Sequence, residues 1–273
     1  MTLGPAKVTE LLARHAVTPS RALGQNFVVD ANTVRRVAAM ARVGPGDRVV
    51  EIGAGVGCLT LALLETGATV TTIEVDRHLA PVLEEVLGGT AARVVIADAR
   101  HLDWGDVLGG EQGVLVANLP YNVGTPLLAD LLDDVPDLVR FVVMVQDEVA
   151  DRLVAEPRTK AYGALTVKVA SWAVARRLAA VPPTVFLPRP RVRSAVVELV
   201  RHPESAVPDD VDREAMERLV RIAFGQRRKM LRRSLAGVVE PEAYGAAGVG
   251  PEQRPEELDL AGWVALTRAS AAP

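Results

Sequence analysis

Asn118-Leu119-Pro120-Tyr121 directly follows Val114–Ala117, an apolar run that reads as a buried strand. The four residue types suggest a particular chemistry. Pro120 fixes a turn and leaves neighbouring carbonyls free, and Tyr121 offers a flat face for a base, with stacking worth about 1–3 kcal/mol. The Asn118 amide oxygen and a backbone carbonyl, from Leu119 or Pro120, make two acceptors for the two N–H bonds of an exocyclic amine. Such an amine is a poor nucleophile because its lone pair is delocalised into the ring. Two acceptors draw the nitrogen toward tetrahedral geometry and aim the lone pair at an electrophile. Rate then comes from positioning and desolvation, without a strong general base.

An electrophile needs a holder. Glu51-Ile52-Gly53-Ala54-Gly55-Val56-Gly57 ends another apolar run with three glycines, whose missing side chains let a ligand approach the backbone. A dinucleotide fingerprint is G-x-G-x-x-G; here Cys58 stands where its third glycine would fall, which disfavours a pyrophosphate. Glu74, 21 residues after Gly53, ends the next strand, where an acid can accept both ribose hydroxyls of an adenosine. Asp98 ends the one after and is placed to hydrogen-bond an adenine amine. Acids and glycines at the carboxyl ends of three successive strands point to an adenosine-bearing cofactor without pyrophosphate, and S-adenosyl-L-methionine fits.

The elements that must position these residues alternate. Strands are expected at 48–52, 69–75, 93–97, 114–117 and 141–145, and helices at 58–65, 77–87 and 126–132, with an earlier helix from Asp30 to about Ala41. Short continuous apolar runs separated by helices mean an α/β fold, a doubly wound and mostly parallel sheet. After residue 150 a helix near 162–173 is followed by β-rich segments at 175–181 and 194–200, an expected antiparallel hairpin at the sheet edge. From Val211 the chain reads as helical. The proline- and acid-rich stretch His202–Asp210 divides a large domain (1–204, with an arm 1–25) from a small helical one (205–273).

No run approaches 18 apolar residues, so no spanning helix is expected. The single cysteine, Cys58, excludes an internal disulfide, and four scattered histidines argue against a metal site. These features predict a cytoplasmic protein, expected to act as a monomer. The net charge of −3 conceals an asymmetry: residues 45–150 hold 17 acidic and 5 basic side chains, whereas 151–201 hold 3 and 10. Residues 213–233 add eight basic groups against two acidic ones. Because attraction is screened over about 8–10 Å, such local tracts matter more to phosphate contacts than net charge does.

The chain resembles the ribosomal RNA adenine N6-dimethyltransferase family, which includes KsgA-type small-subunit enzymes and Erm-type resistance methylases. Leu23-Gly24-Gln25-Asn26-Phe27 is similar to its N-terminal signature, Glu51–Gly57 to its cofactor loop and Asn118–Tyr121 to its catalytic motif. Phe186-Leu187-Pro188-Arg189-Pro190-Arg191-Val192-Arg193-Ser194 matches its F-x-P-x-P-x-V-x-S element. The resemblance implies a Rossmann-like class I methyltransferase fold using S-adenosyl-L-methionine, contacted by Asn26, Val28, Gly53, Gly55, Glu74, Asp98 and Asn118. It implies Asn118, Leu119, Pro120 and Tyr121 as the catalytic set, with Tyr121 and Phe186 sandwiching the target adenine. Arg189, Arg191 and Arg193 would clamp RNA. Val28 stands where the family usually has Leu, and Gly124 replaces a common Ser, losing a potential helix cap.

Phe224–Leu235 resembles the C-terminal signature of the KsgA type, and Gln253–Leu258 suits its small helical domain. Arg227, Arg228, Lys229 and Arg232 there suggest a helix gripping RNA backbone, contacts that position without reading sequence. The implied partner is 16S rRNA in an immature 30S subunit, with two adjacent adenosines of its 3'-terminal hairpin each methylated twice. An Erm-type 23S rRNA methylase, a DNA adenine methylase and an assembly factor with secondary catalysis are the alternatives.

Overall fold

The structure is a computed structural model and describes residues 3–271; Met1, Thr2, Ala272 and Pro273, at the ends of the expected arm and small domain, lie outside the described residues. Seven strands form the main sheet: β1 (Arg48–Ile52), β2 (Thr69–Glu74), β3 (Arg93–Ile96), β4 (Gly113–Asn118), β5 (Leu138–Gln146), β6 (Ala173–Val181) and β7 (Ser194–Arg201). They join one sheet in the order β3-β2-β1-β4-β5-β7-β6. The first five are parallel. β7 runs antiparallel to β5, with Gln146 opposite Ser194 and Phe141 opposite Leu199. The expected strands and the antiparallel edge are therefore present; β7 lies between β5 and β6.

Strand order reverses between β1 and β4, the place where open α/β sheets bind ligands beyond their carboxyl ends. Both central strands are buried along most of their length, as strands covered on two faces must be. On one face, the helix Ala31–Ala41 starts at Asp30, whose carboxylate accepts from the Thr33 N–H at 2.7 Å, and buries Val34, Val37, Ala38 and Ala41. Those side chains pack with Val49, Val116 and Met144 in one hydrophobic cluster. At the far end of β7 the Arg201 guanidinium donates to the carbonyls of Leu132 and Leu138, each at 2.9 Å.

A helix at Pro5–Arg14 and a two-residue strand pair, Phe27–Val28 with Phe186–Leu187, were not expected from the sequence. Residues divide into two compact units, Met1–Ala150 with Arg176–Arg201, and Asp151–Ala175 with His202–Pro273. Residues 151–175 thus group with the carboxy-terminal helices rather than with the large domain expected to span 1–204. The reason is packing: Tyr162 and Val167 share a core with Met216, Leu231 and Trp263, and the Tyr162 hydroxyl donates to the Leu258 carbonyl at 2.7 Å.

The expected basic helix is interrupted. The helix Arg213–Gly225 ends at Gln226, a turn carries Arg227, Arg228 and Lys229, and a four-residue helix, Leu231–Ser234, follows. Leu231 is fully buried in the unit's core, and its N–H donates to the Gln253 carbonyl at 2.7 Å, which redirects the chain.

Candidate active site

At the end of β1 the chain turns through Gly53, Gly55 and Gly57 at φ of 82°, 56° and 84°, a region side chains disfavour. The Gly53 N–H donates to the Ile73 carbonyl at 2.8 Å, tying the turn to β2. A Cβ on Gly55 would lie 2.7 Å from the Phe27 ring. Glu74, the last residue of β2, braces the turn: one carboxylate oxygen accepts from the Gly55 N–H at 2.8 Å and the other from the Asp76 N–H at 2.9 Å. Glu74 is buried, which raises its pKa despite those donors. Below it Glu51 is enclosed, accepts from the hydroxyls of Thr60 and Thr72, and has its pKa pushed up to about 8 by burial.

Asn118 ends β4 beside this turn. A carbonyl can only accept, so the amide end facing Asn26 O at 2.9 Å is Nδ2, which donates. The opposite end, Asn118 Oδ1, is buried without a hydrogen-bond partner. Leu119 is fixed by its N–H on the Met144 carbonyl at 3.1 Å. The Pro120 carbonyl already accepts from the Gly124 N–H at 2.8 Å, so of the two carbonyls considered from sequence Leu119's is the more available. Gly124 begins the helix Gly124–Asp134 against Leu119, and a Cβ there would meet Leu119 Cβ at 2.8 Å. Close packing therefore accounts for this glycine. Tyr121 is half-buried, and its hydroxyl lies 2.6 Å from Ser194 Oγ.

Asn118, Leu119, Pro120 and Tyr121 line a cavity of about 150 Å³ that also takes in Asn26, Phe27, Gly53, Gly55, Glu74 and Asp98. One wall is the segment 22–27. Gln25 Nε2 donates to Asp76 at 2.8 Å on one side, and Asn122 Nδ2 donates to the Ala22 carbonyl at 2.8 Å on the other. Gly24 permits that approach, since a Cβ would fall 2.1 Å from Asn122 Oδ1. Asp98 lies at the cavity edge with Arg100, whose guanidinium grips it at 2.6 and 3.1 Å and holds its pKa down at about 2.

Two expected site residues are not among those lining this cavity. Val28 is buried opposite Phe186 in the short strand pair and lines a smaller hollow beneath the glycine turn. Phe186 is 4% exposed, belongs to the hydrophobic core and is not among the residues lining the cavity. In this structure its ring packs within that core, in the short strand pair with Val28. Arg189, Arg191 and Arg193 are exposed, with Arg193 donating to Asp147 at 3.0 Å. In the helical unit Arg228, Lys229 and Arg232 are exposed, whereas Arg227 is half-buried and donates to the Thr159 carbonyl at 2.9 Å.

Sequence reasoning missed Gln25, Asp76, Arg100, Asn122 and Ser194. Gln25 and Ser194 stood inside motifs already singled out, which was a signal. Asp76 and Asn122 act through contacts across 51 and 100 residues, which no local pattern reveals. Among the described residues no cluster of three metal-binding side chains occurs, and no helix is long and apolar enough to cross a membrane.

Comparison with known proteins agrees with this geometry. The profile of the ribosomal RNA adenine dimethylase family matches residues 18–268. The chain is 45% identical over 271 residues to the ribosomal RNA small subunit methyltransferase A of Cutibacterium acnes, covering 94% of this chain and 91% of that one. It is 46% identical to the protein of the same name from Kineococcus radiotolerans, covering 95% and 88%. Among solved structures it resembles the 23S rRNA methyltransferase ErmE, with a TM-score of 0.67, 27% identity and coverage of 90% and 100%. It shares its fold with a dimethyladenosine transferase from Plasmodium falciparum, at a TM-score of 0.71, 24% identity and coverage of 87% and 94%. A profile matched over nearly the whole chain, and relatives this similar over its full span, establish that the chain belongs to the ribosomal RNA adenine dimethylase family.

Proposed function

We propose that this protein methylates N6 of two adjacent adenosines in the 3'-terminal hairpin loop of 16S rRNA, giving N6,N6-dimethyladenosines during maturation of the small subunit. The family is one of S-adenosyl-L-methionine-dependent methyltransferases. The observation that carries the reading is Asn118, whose amide is oriented by Asn26 and whose Oδ1 is a buried acceptor with no partner. A buried acceptor left unmatched costs stability, so a site retains one when a ligand donor completes it.

The cavity suits the cofactor. Glu74 spends one lone pair per oxygen on backbone N–H groups and keeps others for ribose hydroxyls. Gly53 and Gly55 leave the turn open, and Asn26 and Asp98 line the same space. When bound, S-adenosyl-L-methionine supplies an electrophilic methyl group on a sulfonium. The residues of this chain do the rest. Asn118 Oδ1 and the Leu119 carbonyl accept the two N–H bonds of the target amine, and Tyr121 holds the face of the base. Pro120 keeps the two acceptors in register. The proton displaced from the amine leaves to solvent. A base must be unstacked to enter, which favours a loop adenosine.

Arg189, Arg191 and Arg193, with Arg228, Lys229 and Arg232, are the proposed phosphate contacts. A small-subunit substrate is favoured over the 23S reading by the 45–46% identity to small-subunit enzymes, against 27% to ErmE. We place the protein in the cytoplasm, acting as a monomer on an immature 30S subunit. The test is methylation of 16S and 23S rRNA from a strain lacking the gene. Dimethyladenosine appearing only in the 16S 3'-terminal hairpin supports the proposal, and incorporation into 23S rRNA overturns it.

A further inference from the structure

Serine is short, and a buried serine hydroxyl has to find a partner. Ser194 is fully buried at the first position of β7. Because β7 is antiparallel to β5, that first position lies at the edge where β4 and β5 end. Its partner is the Tyr121 hydroxyl at 2.6 Å, brought in from a turn 73 residues away. The contact spans β5, which lies between β4 and β7 in the sheet. Tyr121 in turn lines the cavity, while Phe186 does not. The ring therefore has one tether at its far end, and that tether sets its tilt. Burial also raises the Tyr121 pKa, so the phenol stays protonated and serves as a hydrogen-bonding anchor.

We propose that Ser194 is a positioning residue that, by holding the Tyr121 hydroxyl, governs how completely the target amine is dimethylated. The inference rests on the function proposed above. Its logic is a count of hydrogen bonds. An unmodified adenine amine offers two N–H groups, to Asn118 and to the Leu119 carbonyl. After one methylation it offers a single N–H, so the base is held by one hydrogen bond fewer and depends more on stacking against Tyr121. Loosening the ring should thus slow the second methyl transfer more than the first. No bond to Ser194 is made or broken in either transfer.

The experiment is a double-mutant cycle of Ser194→Ala, Tyr121→Phe and the double variant, on 16S rRNA, with monomethyl- and dimethyladenosine counted by mass spectrometry. Each single change deletes the same hydrogen bond from one end. A neutral hydrogen bond of about 0.5–1.5 kcal/mol predicts a fall in kcat of about two- to tenfold. Expected with it are a severalfold rise in the monomethyl-to-dimethyl ratio and KM for RNA and cofactor changed by less than about twofold. The double variant should be no worse than either single one. Additive losses, or an unchanged ratio in the single variants, overturn the proposal. Should Ser194→Ala fold poorly by thermal melting, Tyr121→Phe decides alone, because its ring still fills the same space. Wild-type protein that leaves adenine unmethylated would sink the functional reading instead, a result readily told apart from either.

Discussion

Asn118 Nδ2 donates to the Asn26 carbonyl at 2.9 Å, and this one bond joins the reaction centre to the N-terminal signature 92 residues earlier. It also decides which end of the amide remains as an acceptor. Asn118→Asp keeps the shape but replaces the donor by a second acceptor facing a carbonyl. Methyl transfer should fall by at least about 100-fold, the scale seen when one preorganised polar group is removed from a site. RNA affinity, measured by filter binding, should stay within about twofold of wild type. Full turnover in the Asp variant would mean that Asn118 does not orient the amine.

Glu74 holds the glycine turn through both oxygens. Glu74→Gln can accept at only one of those two places and must turn an NH2 toward an N–H at the other. Cofactor affinity by calorimetry should drop about 10- to 100-fold, corresponding to about 1.4–2.7 kcal/mol. Unchanged affinity would show that ribose is held elsewhere.

Glu51 gives a pH signature. Its pKa rises from an ordinary 4.5 to about 8 on folding, so the native state binds the proton more tightly than the unfolded chain does. Its contribution is fully present below pH 4.5, is lost progressively as pH climbs, and is gone above about 8. Glu51→Gln, which retains an acceptor for Thr60 and Thr72, should melt at a temperature less dependent on pH across that window, and higher than wild type near its upper end. A wild-type slope in the variant would refute the assignment. The neighbouring Cys58 thiol, pushed up to about 12 by burial, should resist thiol reagents until the protein unfolds.

Phe186 separates packing from base clamping. Phe186→Ala should cost about 3–5 kcal/mol of stability, whereas Phe186→Leu keeps an apolar plug and should retain methyl transfer within about threefold. A tenfold loss of activity in the Leu variant at unchanged melting temperature would restore the ring to the substrate.

The arginines differ in the same way. Arg227 is bonded to the Thr159 carbonyl, so Arg227→Ala should lower stability by about 1 kcal/mol. Arg228→Ala, at an exposed position, should leave the melting temperature alone and reduce the salt dependence of RNA binding by about 0.7–0.9 in log–log slope. An unchanged slope would remove that turn from the interface.

What the sequence made legible was whatever depends on neighbours in the chain. Strand β1 came out at its observed bounds because Val49, Val50 and Ile52 make a short, continuously buried run that ends on a glycine turn. The places of Glu74 and Asp98 at the ends of successive strands were legible since strand ends can be counted. The helix Pro5–Arg14 had its signals, a proline at the first turn and Val8, Leu11 and Leu12 on one face, and was overlooked. The break at Gln226–Met230 was not legible, because the decisive contact is Leu231 with the distant Gln253. The burial of Phe186 was not legible for a related reason: a motif identifies a residue, but the pairing with distant Val28 is a long-range contact.

The reversed direction of β7 has one more consequence. A strand that opposes its neighbours delivers its beginning where they deliver their ends, so the loop 182–193 enters the reactive edge instead of leaving it. At the other edge Arg201 clasps the carbonyls of Leu132 and Leu138. The strand is thus anchored at both termini, and loop length becomes a variable independent of the sheet. The loop can then change in length without moving Ser194 from its place, and labels can be attached at the exposed turn 109–112 on the opposite rim.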